Sequence, residues 1–234
     1  MMGSLLTPPR SDRRELLDAP DVDPEIVKRS LLDVARSNTL FGGRSAAIDE
    51  LRDVLRELPS RASLLDVGTG LGDIPQRARE VADENGIELH AFGLDSAEEL
   101  ARTSRRAVDF AVCGNGLQLP FANRSIDIVM CSQVLHHFSR PEAVKLLREM
   151  DRVARVRVIV SDIRRSRIAA AGLWLASFPL RFHAVSRHDG VVSVMRGFTP
   201  EELTDTVTEA VRRPAKVTQR RLFRVTASWA PKHR

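Results

Sequence analysis

The stretch Leu64 to Pro75 reads LLDVGTGLGDIP, an apolar run leading into Gly68, Gly70 and Gly72, with Asp66 two residues before the first glycine and Asp73 directly after the last. A tight strand-to-helix turn needs backbone angles that glycine takes without strain, and missing side chains let a ligand approach bare main chain. Dinucleotide sites usually show G-x-G-x-x-G, whose spaced glycines bring a helix N-terminus to a pyrophosphate. Here the spacing is G-x-G-x-G, and carboxylates flank it. Such charges would repel a pyrophosphate but suit a ligand bearing an ammonium group and a sulfonium centre.

A second acid follows. Asp95 closes the next apolar run, Glu88 to Leu94, 23 residues beyond Gly72, close to the roughly 20-residue offset at which a carboxylate meets ribose hydroxyls. The competing reading is that Asp95 only caps the following helix. Together the two loops predict one crevice at the carboxyl ends of adjacent strands, where open α/β sheets bind ligands. The ligand these features favour is S-adenosylmethionine.

Three histidines are candidate bases. His136 and His137 follow an apolar run that ends at Cys131, and His188 lies beside Asp189 in the sequence RHDG, which reads as a glycine-containing loop. Methyl transfer from a sulfonium is an in-line displacement, so alignment and exclusion of water dominate. A hydroxyl acceptor would also gain from a general base, and an imidazole titrates near neutral pH. For each of the three, hydrogen bonding to backbone or packing in a turn is the competing structural role. His183, at the end of an apolar insertion, reads as a lid or packing residue. No metal site is expected: no His/Cys grouping has zinc spacing, and adjacent His136 and His137 do not easily share one ion.

These residues need particular elements to hold them. Short apolar runs alternating with helical periodicity are the mark of βαβ units and a parallel sheet. The pattern predicts strands Ser63 to Val67, Glu88 to Leu94, Asp109 to Cys113, Ile126 to Cys131 and Arg155 to Ser161, with helices over Gly72 to Glu84, Ala97 to Arg106 and Arg140 to Val153. Residues 21–58 read as two helices broken at Phe41-Gly42-Gly43, a candidate hinge above the cofactor. Thr199 and Glu202 form a capping-box pattern ahead of a helix starting at Pro200, and two β-rich pieces, Ala215 to Gln219 and Leu222 to Trp229, predict a C-terminal hairpin. Ile168 to Leu180 (IAAAGLWLASFPL) is apolar and bounded by Arg167 and Arg181; it is too short to span a bilayer. Its Trp174 and Phe178 fit a cover for an apolar acceptor, ordinary core, or an interfacial helix that draws a lipophilic substrate from a membrane.

The run Leu64 to Val160 resembles the class I S-adenosylmethionine-dependent methyltransferase superfamily. The resemblance implies an α/β, Rossmann-like three-layer sandwich with a mostly parallel seven-stranded sheet, a C-terminal antiparallel hairpin and N-terminal helices. It also implies that LDVGTGLG (Asp66, Gly68, Thr69, Gly70, Gly72) holds the methionine end of the cofactor and that Asp95, with Ser96 beside it, meets the ribose. The family's adenine-reading acidic-plus-small pair falls at Asn115 and Gly116, where asparagine keeps a carbonyl acceptor. Ser132 and Gln133 open the segment that backs the cofactor and begins the acceptor pocket. The chain is also similar to bacterial small-molecule methyltransferases of polyketide-type secondary metabolism, through LLDAPDVDPE, GDIP and RHDG.

Composition bounds the rest. The 234 residues are 43% hydrophobic and 29% charged, ordinary for one large α/β domain. The expected organisation is an N-terminal helical extension and cap (1–60) and a methyltransferase domain (61–234) with an insertion (165–198). Cys113 and Cys131 are expected as core residues of a reduced, cytoplasmic protein, and the first ten residues as mobile. The net charge of +5 arises from 36 basic residues interspersed with 31 acidic ones, which argues against nucleic-acid binding. The expected activity is methylation of a small organic acceptor, foremost the hydroxyl of an aromatic or polyketide-like metabolite, in a monomer or homodimer. The alternatives are carbon methylation of quinone type, an NAD-dependent oxidoreductase, and a nucleotide-binding module without chemistry.

Overall fold

The computed structural model describes residues 7–19 and 22–232. Two helices, α1 (Pro24–Leu40) and α2 (Gly43–Val54), precede β1 (Arg61–Val67), α3 (Asp73–Asp83), β2 (Glu88–Asp95), α4 (Glu98–Ser104), β3 (Phe110–Cys113) and β4 (Ile126–Ser132). Then come α5 (Arg140–Val153), β5 (Ala154–Ile163), α6 (Arg167–Ser177), α7 (Ala184–Arg196), α8 (Pro200–Val211), β6 (Lys216–Arg220) and β7 (Arg224–Trp229).

The seven strands form one sheet in the order β3-β2-β1-β4-β5-β7-β6. The first five are parallel; β7 runs antiparallel to β5 and pairs with β6 as a hairpin. Strand order reverses between β1 and β4, and such a switch point opens a crevice beyond the strand ends. The glycine turn lies there.

Strand periodicity sorts the core into two faces. Along β4, Ile128 and Met130 point to one side and Val129 and Cys131 to the other, as alternating strand side chains must. The first pair joins Leu64 and Ile159 beneath Ala47, Ile48, Leu51 and Val54 of α2 and Ile74, Ala78 and Val81 of α3. The second joins Leu65, Val158 and Val160 beneath Leu146, Leu147 and Met150 of α5 and Leu203 and Val207 of α8. The central strands are thus buried on both faces, which explains their unbroken apolar runs. The edge strand β6 carries Lys216 and Arg220, charges that blunt an open edge.

The predicted three-layer α/β architecture is the observed one, capping box included: Glu202 N donates to Thr199 Oγ1 at 3.2 Å and Thr199 N to Glu202 Oε2 at 2.9 Å. Four local expectations are corrected. RHDG is not a loop but the middle of α7, and Gly190 is there because a Cβ would sit 2.9 Å from Leu173 Cδ2 of the neighbouring α6. Cys113 is exposed at the end of edge strand β3, whereas Cys131 is buried as expected. Of the readings open for Ile168 to Leu180, ordinary core holds for Leu173, which packs inward, but not for Trp174, Leu175 and Phe178, which face solvent. The expected mobile start lies partly outside the described residues. From residue 7 onward the chain is fastened: Arg165 Nε donates to Pro8 O at 2.7 Å, and Arg10 donates to the carbonyls of Arg196, His136 and Phe138 at 2.7, 3.1 and 3.0 Å.

Candidate cofactor and acceptor site

The turn after β1 needs its glycines. Gly68, Gly70 and Gly72 have φ of +74°, +55° and +80°, in the left-handed region that strains other residues. A Cβ on Gly68 would lie 2.4 Å from Val134 Cγ2, and one on Gly72 would lie 2.6 Å from Ala107 Cβ. Around Gly70 the space is open to 4 Å, so the main chain there is bare toward the crevice. The amides of Gly68 and Thr69 donate to Leu94 O at 2.7 and 3.0 Å, tying the turn to β2.

Asp95 braces two segments at once. Its Oδ2 accepts from Gly70 N at 3.0 Å, and its Oδ1 accepts from Ala97 N at 3.0 Å at the head of α4. Each carboxylate oxygen has a second lone pair, so the group braces the glycine turn while keeping acceptor capacity for hydroxyls.

A cavity of about 110 Å³ opens at this turn, between Asp66, Thr69, Gly70, Asp73, Ser132 and Gln133 on the sheet side and Leu31, Val34, Ala35 and Asn38 of α1. Five of its polar atoms are buried without a hydrogen-bond partner: Asp66 Oδ1, Thr69 Oγ1, Asp73 Oδ2, Ser132 Oγ and Gln133 Nε2. Leaving such groups unsatisfied costs about 1–3 kcal/mol each, so their convergence marks a place that a polar ligand completes. Burial pushes the Asp66 carboxyl up to about 8, with Asp73 and Asp95 adding to the shift. Asp73 is likewise raised by burial. A cationic ligand group would relieve both. The residues therefore fit the ammonium-bearing end of S-adenosylmethionine.

Gln133 terminates β4 with φ +56°, its amide donating to Ser161 O at 2.8 Å and its Oε1 accepting from Arg224 at 3.1 Å. Strained backbone at such a position is held by its surroundings. The other expected contacts stand further out. Ser96 is exposed. Asn115 is exposed, and its Oδ1 accepts from Leu117 N at 2.8 Å, so the carbonyl shapes its own loop. Gly116 packs on the end of β1, where a Cβ would lie 3.2 Å from Val67 Cγ1.

None of the three candidate histidines lines the cavity. His136 is 2% exposed in the short 3-10 turn Leu135–His137. Its Nδ1 lies 2.7 Å from Asp162 Oδ1, its amide donates to Asp162 Oδ2 at 3.0 Å, and its Nε2 faces Glu15 Oε1 across 3.7 Å. Burial disfavours charge on the ring, but the two carboxylates outweigh it and lift His136 to about 9. Asp162, wholly buried, is held below its ordinary range by His136 in return. His136 is therefore an imidazolium fixed between two anions, not a free base. His137 is half-buried, with Nδ1 3.8 Å from the same Glu15 oxygen. His188 is exposed on α7 and its Nδ1 lies 2.9 Å from Asp189 Oδ1. His183 caps α7 and donates its amide to Asp33 at 2.8 Å.

Sequence spacing gave no sign of Glu15. It reaches the histidines because Ser193 Oγ donates to its Oε1 at 2.6 Å and Asp189 accepts from the amides of Leu16 and Leu17 at 2.8 and 2.9 Å. Glu15, His136 and His137 each bring a donor atom within 4.8 Å of the others, an arrangement able to hold a metal ion. The charged His136 already balances the carboxylates there.

Residues 65–160 match the methyltransferase domain family. Among curated proteins, the chain is 28% identical over 133 residues to the "Probable tRNA methyltransferase 9B" of Bos taurus, covering 55% of this chain and 27% of that one. It is 32% identical over 106 residues to the demethylmenaquinone methyltransferase of Listeria monocytogenes, covering 42% and 43%. The chain thus spans less than half the length of these relatives. Among solved structures, magnesium protoporphyrin IX methyltransferase from Synechocystis PCC 6803 with bound S-adenosylmethionine shares the fold at TM-score 0.54 and 12% identity, covering 93% of this chain and 88% of that one. The glycine turn, the Asp95 brace and the sheet side of the switch-point cavity all lie within residues 65–160, the stretch that matches the methyltransferase domain family, in a fold shared with a solved methyltransferase.

Proposed function

We propose that the protein moves a methyl group from S-adenosylmethionine to the hydroxyl of a small aromatic or polyketide-like acceptor. The observation that carries the cofactor part is the ring of five unsatisfied buried polar atoms around the glycine-turn cavity. When bound, S-adenosylmethionine supplies an electrophilic methyl on a sulfonium. Asp66, Thr69, Asp73, Ser132 and Gln133 would hold its polar methionine end, Gly68 to Gly72 its main-chain approach, and Asp95 the ribose hydroxyls.

His137 is the proposed base. It is the more accessible of the adjacent pair, and Glu15 Oε1, 3.8 Å from its Nδ1, is placed to orient the ring as it takes the acceptor's proton. His136 is proposed as a positioning residue: its fixed charge anchors Glu15 and the turn that carries His137. His188 is the weaker base candidate, since Asp189 beside it is already engaged by two backbone amides.

Carbon methylation of a quinone-type ring is the second reading, favoured by the likeness to the Listeria monocytogenes enzyme; it requires no strong base. Calorimetry with S-adenosylhomocysteine tests the first part, with binding expected and Asp95→Ala expected to weaken it at least about tenfold. No binding to folded protein would overturn the proposal. A labelled-methyl screen of phenols and quinones tests the second. Loss of turnover in His137→Ala, with cofactor binding retained, supports oxygen as the acceptor atom, and full turnover assigns carbon.

A further inference from the structure

Helix α6 is built inside out. Its residues Ala170 and Ser177 are buried, and Ala169 and Leu173 pack toward α7 and Ile163. The opposite face is apolar too: Ile168, Trp174 and Leu175, with Phe178 just beyond the helix, are 53%, 47%, 61% and 47% exposed. Ala171, Gly172 and Pro179 are exposed beside them. Ile168, Ala171, Gly172, Leu175 and Phe178 fall at helical spacing, so they form one stripe on the outer surface. Scattered exposed hydrophobics need no explanation, but a contiguous stripe marks an interaction surface.

The charge along this stretch of chain is of one sign. From Ile163 to His188 the sequence holds five arginines and no acidic residue, and the remainder of the chain carries equal numbers of acidic and basic side chains. Arg165 is buried and spent on Glu202, and Arg164 lies over the Phe223 ring. Arg167 and Arg181 are exposed at the two ends of the stripe, and Arg187 stacks over Phe178 at 4.0 Å. Among the described residues none of these three pairs with a carboxylate. An apolar face rimmed by guanidinium groups matches a bilayer surface with anionic headgroups, into which such a helix sinks its apolar side while the arginines meet phosphate.

One element joins this face to the cofactor cavity. Helix α1 lines the cavity with Leu31, Val34 and Ala35, while its Arg36 donates to Leu180 O at 3.3 Å and its Asp33 accepts from His183 N, both just after α6. Leu32 and Val34 of α1 are themselves exposed.

We propose that α6 and its flanking arginines dock the protein on an anionic membrane surface, placing the site where a lipophilic acceptor is taken from the bilayer. The docking stands on the surface alone; the lipophilic acceptor rests on the methyltransferase reading above.

The protein carries its own probe. It has two tryptophans; Trp229 is 3% exposed and Trp174 lies on the stripe. Titration with phosphatidylglycerol/phosphatidylcholine vesicles is expected to shift Trp174 emission to the blue and to carry the protein into the vesicle pellet, with much weaker binding to phosphatidylcholine alone. Leu175→Glu, at an exposed position that leaves folding intact, is expected to lower partitioning at least about tenfold. Arg167→Gln and Arg181→Gln are each expected to lower it about fivefold. Unchanged emission and no pelleting with anionic vesicles would overturn the proposal. So would light scattering that shows a dimer dissociated by Leu175→Glu, since a second copy would then cover the stripe. Calorimetry with S-adenosylhomocysteine in the absence of vesicles separates failure of docking from failure of the methyltransferase reading.

Discussion

Asp66→Asn should make the protein less sensitive to pH while weakening its hold on the cofactor. In the folded chain the Asp66 carboxyl is pushed up to about 8 from an ordinary 3.8, chiefly by burial, with Asp73 and Asp95 adding to it. Between those two values the folded state keeps a proton that the unfolded state releases, so stability falls as pH rises and levels off above about 8. Each unit in that window is worth about 1.4 kcal/mol, so Asp66 alone withdraws on the order of 4 kcal/mol between about pH 5 and pH 8. Asparagine has the shape of the neutral acid and does not titrate. Urea denaturation across that range should show the variant close to the natural protein at the acid end and more stable by a few kcal/mol at the alkaline end. Taking the difference between the two proteins removes the contributions of other groups, His136 among them. A ligand ammonium at the cavity would favour the ionised carboxyl. Calorimetry near neutral pH in buffers of different ionisation enthalpy should therefore detect a proton released when S-adenosylmethionine binds to the natural protein and none from Asp66→Asn. Parallel stability profiles for the two proteins would refute the assignment of a buried, protonated Asp66.

His136 works in the opposite sense. Its folded value of about 9 exceeds the ordinary 6.5, so it contributes stability that is complete below about 6.5 and lost as pH rises through 9, on the order of 3 kcal/mol in all. His136→Gln should abolish that alkaline loss and cost about 3–5 kcal/mol near neutral pH by stranding the Asp162 carboxylate, read from the same denaturation series. Gly68→Ala should destabilise the chain by at least about 1–3 kcal/mol, because φ +74° and a 2.4 Å approach to Val134 both oppose a Cβ; an unchanged melting temperature would contradict the turn geometry. Asp189→Ala leaves the Leu16 and Leu17 amides unpaired, and hydrogen exchange should show them opening about tenfold or more faster. Equal exchange rates would mean that Asp189 does not hold the N-terminal segment.

The parts of the molecule governed by local rules were legible from sequence. Strand runs such as Ile126 to Cys131 announce burial on both faces, Thr199 and Glu202 announce a helix start, and Gly68 to Gly72 announce a turn with bare main chain. Asp95 was legible because its offset from the glycines follows from the length of one βα unit. Where a side chain's neighbours come from distant chain, local pattern misleads. Gly190 looks like a loop residue but serves close packing of α7 against Leu173 of α6. Cys113 looks like core, yet it stands at the exposed end of an edge strand. The apolar run of α6 looks like core because composition cannot say whether the second face of a helix meets protein.

The histidines show how far this reaches into chemistry. Adjacent His136 and His137 are equivalent as sequence, and a pocket base could have been either. What separates them is Asp162 at the end of β5, 26 residues on, and Glu15, more than a hundred residues back. Asp162 binds both the ring and the amide of His136, which turns that side chain into the sheet and fixes its charge; His137 is left facing outward. Helix α7 brings the other half. Its Asp189, Ser193, Met195 and Arg196 in turn hold Leu16 and Leu17, Glu15, Ser11 and the His136 carbonyl. One helix therefore clamps the N-terminal segment against the turn after β4 and so brings Glu15 to add to the Asp162 contribution at His136. The glycine turn beside the cavity is legible in one continuous motif, Leu64 to Pro75, because it requires positive φ and bare main chain. The cluster of Glu15, His136, His137 and Asp162 depends on side chains from four separate segments, α7 among them, so it forms only when the whole fold closes.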